Sequence, residues 1–281
     1  MRTAIAFLTT SPKKETINFA EKIANETNFD VFIICDDGRY SSSNDDSAYP
    51  MYPPQVTIIH KKESVNLVYV NDNNCSALGY INATPKGSHI QKTPNSWDKV
   101  LCYFCEYDIK NPYDFVLIFE DDVFIPSVEA VVNLVTKSLK YDLVVPHNHL
   151  QEFQAIGWHW AEVVDKIQPP YYYSMTCAVG LSRKVLDTVR AYVKENKTLI
   201  FHEVMFNTLA MQNSLKIVTL MELKSIVWQG KWGIDEWLLL PNNVFHPVKD
   251  IENHDKHREL IASSKDSGYQ PADSLPDFVR G

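Results

Sequence analysis

The chain has 281 residues, of which 45% are hydrophobic and 12% are aromatic, and its formal net charge is -8 at pH 7. This apolar content is enough to bury a sizeable core, which excludes an intrinsically disordered protein. The negative charge and the lack of Lys and Arg clusters exclude general nucleic-acid binding, because phosphate backbones are bound by clustered basic side chains. An acidic site that holds a cation fits this charge better.

The N-terminal segment and the cysteines indicate a cytoplasmic protein. The apolar run at residues 4–8 is too short for the core of a signal peptide, and no stretch approaches the roughly 18 apolar residues of a membrane helix. The cysteines are odd in number and irregularly spaced, and Cys102 and Cys105 form a lone CxxC without a second pair. Reduced core thiols therefore fit better than disulfides or a zinc site, and we expect no membrane insertion.

The first elements are a strand, a helix and a second strand. Residues 3–9 form an apolar strand, and hydroxyl groups of the Thr-Thr-Ser-Pro sequence at its end can cap a helix over residues 13–25. Residues 30–35 form the second strand, and residues 39–54, rich in Ser, Asp, Tyr and Pro, form a loop. This order predicts a parallel sheet, whose ligands bind at the carboxyl ends of the strands.

The remaining elements continue the alternation of strands and helices. In chain order they are strands over 56–60 and 67–70, a helix over 96–107, a strand over 113–119, a helix over 127–139, strands over 142–145 and 177–181, helices over 182–195 and 202–212, and a strand over 216–220. The tail after about residue 250 is polar and weakly patterned. We predict one α/β domain with a mixed, mostly parallel, Rossmann-like sheet flanked by helices.

Three consecutive acidic residues follow the strand over residues 113–119, namely Glu120, Asp121 and Asp122. Carboxylates this close raise one another's pKa and cost stability unless a positive group lies among them, and a hard divalent cation is the natural partner. The alternative is a solvated acidic turn, or a helix N-terminus where negative charge is favourable. Because an interior strand rarely ends in three acids, the sequence favours the cation site.

The sequence around this turn, FVLIFEDDVFI, resembles the DxD element of GT-A glycosyltransferases, with Glu in the first place. The resemblance implies a GT-A fold that holds Mn²⁺ or Mg²⁺ on the diphosphate of a nucleotide-sugar. Asp122 would be the metal ligand, Glu120 the nucleotide-sugar contact, and Asp121 would take either role. Residues 1–125 would form the nucleotide-sugar-binding part, residues 126–250 the acceptor-binding and catalytic part, and residues 251–281 a C-terminal tail.

The resemblance also implicates residues at the ends of the first two strands and a downstream histidine. Thr9, Thr10, Asp36 and Asp37 would contact the nucleoside, although each can equally cap a helix or close a turn. His246, in the sequence Asn-Val-Phe-His-Pro, resembles the histidine that completes the metal shell; the alternative is a structural histidine.

Two basic residues, Arg39 and Lys99, are candidates for contacts with the diphosphate as point charges. Both can also be ordinary surface charges, which are common. An aromatic cluster, formed by residues 157–160 and 171–173, can stack on the sugar rings of an acceptor or belong to the core.

An inverting transferase needs a base that takes the proton of the attacking acceptor hydroxyl. The sequence HEVMFNTLA resembles the helix start at which inverting GT-A enzymes often carry this base, which makes Glu203 the expected base and His202 its alternative. Glu203 can also simply favour the helix dipole. We predict that the product has an inverted anomeric configuration.

The size of the chain and its FEDDV and HEV elements are similar to those of the small soluble transferases that large algal viruses encode for capsid glycans. That similarity implies a UDP-sugar donor such as UDP-xylose, an oligosaccharide or glycoprotein glycan acceptor such as a fucose-containing capsid N-glycan, and action in the host cytoplasm. Two other functions are compatible with an acidic metal site. One is a nucleotidyltransferase, although LTTSPKKET lacks the expected glycine-rich loop, and the other is a calcium-dependent carbohydrate-binding module.

Overall fold

The computed structural model describes residues 1–36, 56–62, 64–83, 92–108, 110–152 and 157–271. Ten strands lie in these ranges: β1 (Thr3–Thr9), β2 (Asp30–Cys35), β3 (Val56–Lys62), β4 (Val65–Val70), β5 (Phe115–Glu120), β6 (Leu143–Val145), β7 (His149–Leu150), β8 (Tyr172–Tyr173), β9 (Ala178–Ser182) and β10 (Ile217–Thr219). Eight of them form one sheet in the order β10-β6-β9-β5-β1-β2-β4-β3, and β7 and β8 form a small second sheet. The large sheet is mostly parallel, with β3 and β9 running against the other strands.

Helices cover both faces of this sheet. They are α1 (Lys14–Glu26), α2 (Asp72–Ala77), α3 (Ser96–Cys102), α4 (Val128–Ser138), α5 (Arg183–Asn196), α6 (His202–Gln212), α7 (Ile234–Leu239) and α8 (His254–Asp266), and α3 continues as a π-helix over Tyr103–Tyr107. The architecture is Rossmann-like α/β, as the alternation of predicted elements indicated. None of the helices in the described ranges is long and apolar enough to cross a membrane.

The burial of β1 on both faces explains its uninterrupted apolar sequence. Side chains alternate across a strand, so Ala4, Ala6 and Leu8 pack in the core cluster that contains α3, α5 and α6. Ile5 and Phe7 pack in the opposite cluster, which contains residues of α1 and α4. Every residue of β1 is buried, which is typical of a central strand in a parallel sheet.

The sequence analysis assigned no helix to the weakly patterned tail, but residues 254–266 form α8. This helix buries only His254, Ile261 and Ser264, too few to give its sequence a visible apolar periodicity. It is held instead by Arg258, whose guanidinium lies 3.7 Å from the ring centroid of Phe19 and donates a 3.0 Å hydrogen bond to the carbonyl of Ile125.

Helix capping also differs in one place from the prediction. The hydroxyl groups before α1 do not cap it, because its N-cap residue is Lys13, which makes no side-chain capping hydrogen bond. Ser127 and Ser182 do cap α4 and α5, through hydrogen bonds from Ala130 and Val185 to their hydroxyl groups. Serine is a favourable N-cap residue, so the positions at which these two helices begin are the ones that their sequences favour.

The apolar residues after the acidic turn do not continue as a strand. Phe124 instead forms a single antiparallel bridge with Phe245, through backbone hydrogen bonds of 2.8 and 2.9 Å. Phe124 and Phe245 are fully buried in a third core cluster with Trp237 and Ile261, so α7 and α8 are packed beside the acidic turn. This bridge brings the segment around residue 246 to the end of β5.

All five cysteines lie in the described ranges, and they are buried and free. Their burial agrees with the prediction of core thiols, including Cys102 and Cys105 of the lone CxxC.

Candidate functional site

The predicted site residues converge on one edge of the large sheet. Because β1, β2 and β5 are parallel neighbours, their carboxyl ends at Thr9, Cys35 and Glu120 lie side by side. Cys177 joins them because it directly precedes β9, which is antiparallel to β5, and its carbonyl accepts a 2.8 Å hydrogen bond from the backbone of Glu120. We call this region the carboxyl edge.

Asp121 is held in the interior of the carboxyl edge by Thr9. The hydroxyl of Thr9 donates a 2.8 Å hydrogen bond to Asp121 Oδ2 and accepts one of 3.2 Å from the backbone of Ser11. Burial raises the pKa of Asp121, and the charge of Asp122 adds to the rise, while the Thr9 hydrogen bond opposes it. Thr9 is thus occupied with shaping the acidic turn, whereas Thr10, the next residue, is exposed.

Of the three carboxylates of the acidic turn, that of Asp122 has the surroundings that best suit a bound cation. Its Oδ2 accepts a hydrogen bond from Lys249 Nζ and lies 3.4 Å from His246 Nε2. Its Oδ1 is buried and has no hydrogen-bond partner within the described residues. Burial alone would raise the pKa of Asp122, but its contacts with His246 and Lys249 outweigh burial and lower the pKa to about 2. Asp122 is therefore a carboxylate at neutral pH, with one oxygen open to a ligand.

His246 presents one ring nitrogen to this carboxylate. Its backbone N–H donates to the carbonyl of Ser225 at 3.0 Å, and its Nδ1 lies 2.9 Å from the carbonyl of Val227. A proton on Nδ1 that is donated to Val227 leaves the lone pair on Nε2, the arrangement that metal-binding histidines commonly have. Burial lowers the pKa of His246, but Asp122 raises it by more, so the net shift is upward.

Lys249 supplies positive charge to Asp122 through an ion pair with its Oδ2, and His246 Nε2 lies 3.4 Å from the same oxygen. The Lys249 side chain is 75% exposed, so a divalent cation can displace its ammonium group without burying it elsewhere. Asp122 and His246 offer oxygen and nitrogen donors of the kind that Mn²⁺ accepts, and Glu120 lies within 4.8 Å of His246. The donor set of the carboxyl edge therefore fits a divalent cation.

Glu120 contacts two residues that the sequence analysis did not assign to the site. Its Oε1 accepts a 2.7 Å hydrogen bond from the indole of Trp97, and its carboxylate lies within 4.8 Å of the thiol of Cys177. One potential ligand atom from each of Glu120, Cys177 and His246 lies within 4.8 Å of the others. No sequence motif marks Trp97 or Cys177, because only the pairing of β5 with β9 and the packing of α3 bring them here.

The structure contradicts the interpretation of Lys99 as a surface charge. Lys99 is 2% exposed, and its Nζ lies 2.6 Å from Asp36 Oδ1 and 2.7 Å from Asp72 Oδ1. Its ammonium group is thus paired with two carboxylates, and a contact with a diphosphate stays a prediction. Burial raises the pKa of Asp36 although Lys99 opposes the rise. Asp37 and Arg39 lie outside the described residues.

Glu203, in the first turn of α6, has the electrostatics of a general base. Burial raises the pKa of its carboxyl to about 7, the charge of Glu120 adds to the rise, and the Thr176 backbone and His246 oppose it. A base with a pKa near the working pH is the most effective in proton transfer. The ring of His202 stacks on Trp97 with centroids 4.7 Å apart, and burial lowers its pKa to about 3, so it is a weaker candidate.

The aromatic cluster divides into a buried part and an exposed part. Trp160 is 5% exposed and belongs to the core, whereas Trp158 is 51% exposed. Trp158 packs edge-on against Phe201 at 4.9 Å, and His159 stacks on the same ring at 4.0 Å. Phe201 is followed by His202 and Glu203, so aromatic rings lead from the carboxyl edge to the surface. The core interpretation is therefore confirmed for Trp160, and stacking on a sugar stays a prediction for the exposed Trp158.

Comparisons with known proteins give little guidance. No family model matches this sequence, and no curated protein matches it. The structure of the bifunctional IspDF from Campylobacter jejuni resembles this one with a TM-score of 0.36 and 11% sequence identity, over 78% of this chain and 49% of that chain. The chain thus spans about half the length of that protein. A similarity this low supports no conclusion about function.

Proposed function

We propose that the protein is a metal-dependent, inverting glycosyltransferase of the GT-A type, which moves a sugar from a nucleoside diphosphate sugar to a hydroxyl group of a glycan. One observation carries the proposal: Asp122, with an oxygen that no described residue hydrogen-bonds and a pKa of about 2, adjoins His246, and the charges of His246 and Glu120 also act on Glu203, whose pKa is about 7. One carboxylate is permanently ionised and suits a cation, and the other can gain and lose a proton at neutral pH.

Asp122 and His246 would hold Mn²⁺ or Mg²⁺, and Glu120 would face the nucleotide-sugar. A bound cation neutralises the charge that develops on a departing diphosphate. Asp121 would shape the turn through its hydrogen bond with Thr9 rather than bind the ion. Asp36, at the end of β2, would approach the nucleoside with the carboxylate oxygen that is not bound by Lys99.

Glu203 would take the proton from the acceptor hydroxyl. It lies in the first turn of α6, where the charges of Glu120 and His246 act on it. The product would then have an inverted anomeric configuration, because the hydroxyl attacks from the face opposite the leaving group. Retention of configuration would exclude this role for Glu203.

The exposed ring of Trp158 would bind the acceptor by stacking on a sugar face. The finer identity of the substrates rests on the resemblance to algal-virus transferases alone. On that basis the donor is a UDP-sugar, with UDP-xylose as the first choice, the acceptor is a fucose-containing glycan of a capsid protein, and transfer takes place in the host cytoplasm.

A donor screen tests the proposal. The protein is incubated with Mn²⁺ and with UDP-xylose, UDP-glucose, UDP-galactose or their GDP counterparts, and release of the nucleoside diphosphate is measured with and without EDTA. We expect metal-dependent release from one donor, and loss of that release in Asp122→Asn. No metal-dependent turnover or binding with any donor would refute the proposal. Pyrophosphate formation from a sugar phosphate and a nucleoside triphosphate would indicate a nucleotidyltransferase, and sugar binding that ignores nucleotides would indicate a calcium-dependent module.

A further inference from the structure

A thiol lies among the candidate cation ligands. Cys177 is 7% exposed, and it lies beside the acidic turn because its backbone carbonyl accepts a 2.8 Å hydrogen bond from the backbone N–H of Glu120. Sγ, a carboxylate oxygen of Glu120 and a ring nitrogen of His246 lie within 4.8 Å of one another. Because Nδ1 of His246 is engaged with the carbonyl of Val227, Nε2 is the nitrogen left for an ion.

Sulfur, imidazole nitrogen and carboxylate oxygen together form a donor set of zinc sites rather than of magnesium sites. Bonds of about 2.0 to 2.3 Å around a tetrahedral ion place neighbouring ligand atoms about 3.5 Å apart. The three atoms of this cluster lie at most about 1 Å farther apart than this, a difference that a rotation of the partly exposed Glu120 side chain can supply. The ligand atoms are therefore close to a metal-binding geometry, although their separations are not yet those around a bound ion.

A second observation points to a ligand at the same place. Asp122 is 8% exposed, its Oδ1 is buried without a hydrogen-bond partner in the described residues, and its Oδ2 lies 3.4 Å from His246 Nε2. A buried carboxylate oxygen without a partner costs free energy unless an ion or a water molecule satisfies it. The carboxylate that carries the unsatisfied oxygen thus adjoins, through its other oxygen, the histidine that both sets of ligands share.

We propose that Cys177, Glu120 and His246 form a binding site for a thiophilic divalent cation of the zinc class. Because His246 is shared, this ion and the hard cation at Asp122 exclude each other. Binding breaks the S–H bond of Cys177, forms a bond from its thiolate to the metal, and releases one proton to solvent. The site itself does not depend on the proposed transferase function, and only its effect on transfer rests on that function.

Cadmium is a suitable probe, because a thiolate bound to Cd²⁺ gives an ultraviolet charge-transfer absorption that oxygen and nitrogen ligands do not give. The full-length protein is freed of metal with a chelator and titrated with Cd²⁺. We expect the absorption to saturate at one equivalent, to disappear in Cys177→Ser, and to persist in the control Cys105→Ser. Cys105 is a buried free thiol whose Sγ contacts the carbonyl of Leu186, outside this cluster. An unchanged absorption in Cys177→Ser, or none in the wild type, would overturn the proposal.

A second variant keeps the thiol and tests the histidine. His246→Gln is expected to weaken Cd²⁺ binding by about 10- to 100-fold, and an unchanged affinity would show that His246 is not a ligand. Far-ultraviolet circular dichroism of each variant establishes that it is folded.

The effect of Zn²⁺ on transfer activity distinguishes a failure of the proposed metal site from a failure of the proposed function. If the chain is a transferase, Zn²⁺ inhibits Mn²⁺-supported transfer by occupying His246, and Cys177→Ser raises the inhibitory Zn²⁺ concentration by about tenfold or more. A Cys177-dependent cadmium absorption in a protein without transfer activity would leave the metal site standing and refute the proposed function. Transfer activity without that absorption would refute the metal site and leave the proposed function standing.

Discussion

Replacing Glu203 by Gln is expected to stabilise the metal-free protein at alkaline pH. The pKa of Glu203 is raised from its ordinary value of 4.5 to about 7, chiefly by burial. Each pH unit of difference corresponds to about 1.4 kcal/mol, so ionised Glu203 lowers the free energy of unfolding by up to about 3 kcal/mol. Partial access of solvent reduces this value, and we expect a gain of about 1 to 3 kcal/mol in Glu203→Gln.

The sign of the pH dependence follows from proton binding. Between 4.5 and about 7 the folded state keeps the proton of Glu203 while the unfolded state has lost it, so stability falls as pH rises through this window. Below the window both states are protonated and the penalty is absent. Glu203→Gln should therefore gain little stability at about pH 4 and the full amount at about pH 8. Urea unfolding in EDTA at several pH values measures the difference.

A matched control separates burial from the helix dipole. Glu129 occupies the first turn of α4 as Glu203 occupies that of α6, but its side chain is exposed. Glu129→Gln is expected to lose about 0.3 to 1 kcal/mol at neutral pH, because only the favourable interaction with the helix N-terminus is removed. If Glu203→Gln is destabilising in the same way at every pH, the reasoning about a buried base is refuted.

The same substitution should reduce transfer while it increases stability. With donor, acceptor and Mn²⁺ present, we expect kcat/KM to fall by about 10²- to 10⁴-fold, the usual effect of losing a general base. The wild-type rate should rise with pH to a plateau, since Glu203 must be ionised to accept the proton. Activity within tenfold of the wild type would remove Glu203 from this role.

Four further substitutions test other parts of the structure. Asp122→Asn is expected to weaken Mn²⁺ binding about 100-fold, measured by electron paramagnetic resonance, and a loss below tenfold would contradict its role as ligand. Lys99→Met should lower the free energy of unfolding by about 2 to 4 kcal/mol, because it leaves two carboxylates without their cation. Phe124→Ala, at a fully buried site, should cost about 3 to 5 kcal/mol in urea unfolding. Trp158→Ala, which removes a half-exposed ring, should raise the KM for the acceptor about 2- to 10-fold, and a change of stability above about 0.5 kcal/mol would indicate a structural role instead.

The regular elements could be predicted from the sequence wherever burial follows a simple period. The bounds of β1, β2 and α6 agree with the predicted ranges 3–9, 30–35 and 202–212, since each is an apolar segment with polar residues at its ends. Helix α8 could not be predicted, because three buried residues in thirteen leave no apolar stripe. Helix α7 was missed for a similar reason, since Trp237 is its one buried residue.

The sequence by itself determined that an interior strand ends in three acids and that an isolated acid begins α6. Tertiary structure alone decided what these acids contact. Thr9 and Asp121 are 112 residues apart, and Asp122 and Lys249 are 127 residues apart. Local patterns report which residues are buried, but the order of the strands decides which distant side chains meet. That order brought Cys177 to the acidic turn and enclosed Lys99 between two carboxylates, and no short-range pattern carries this information.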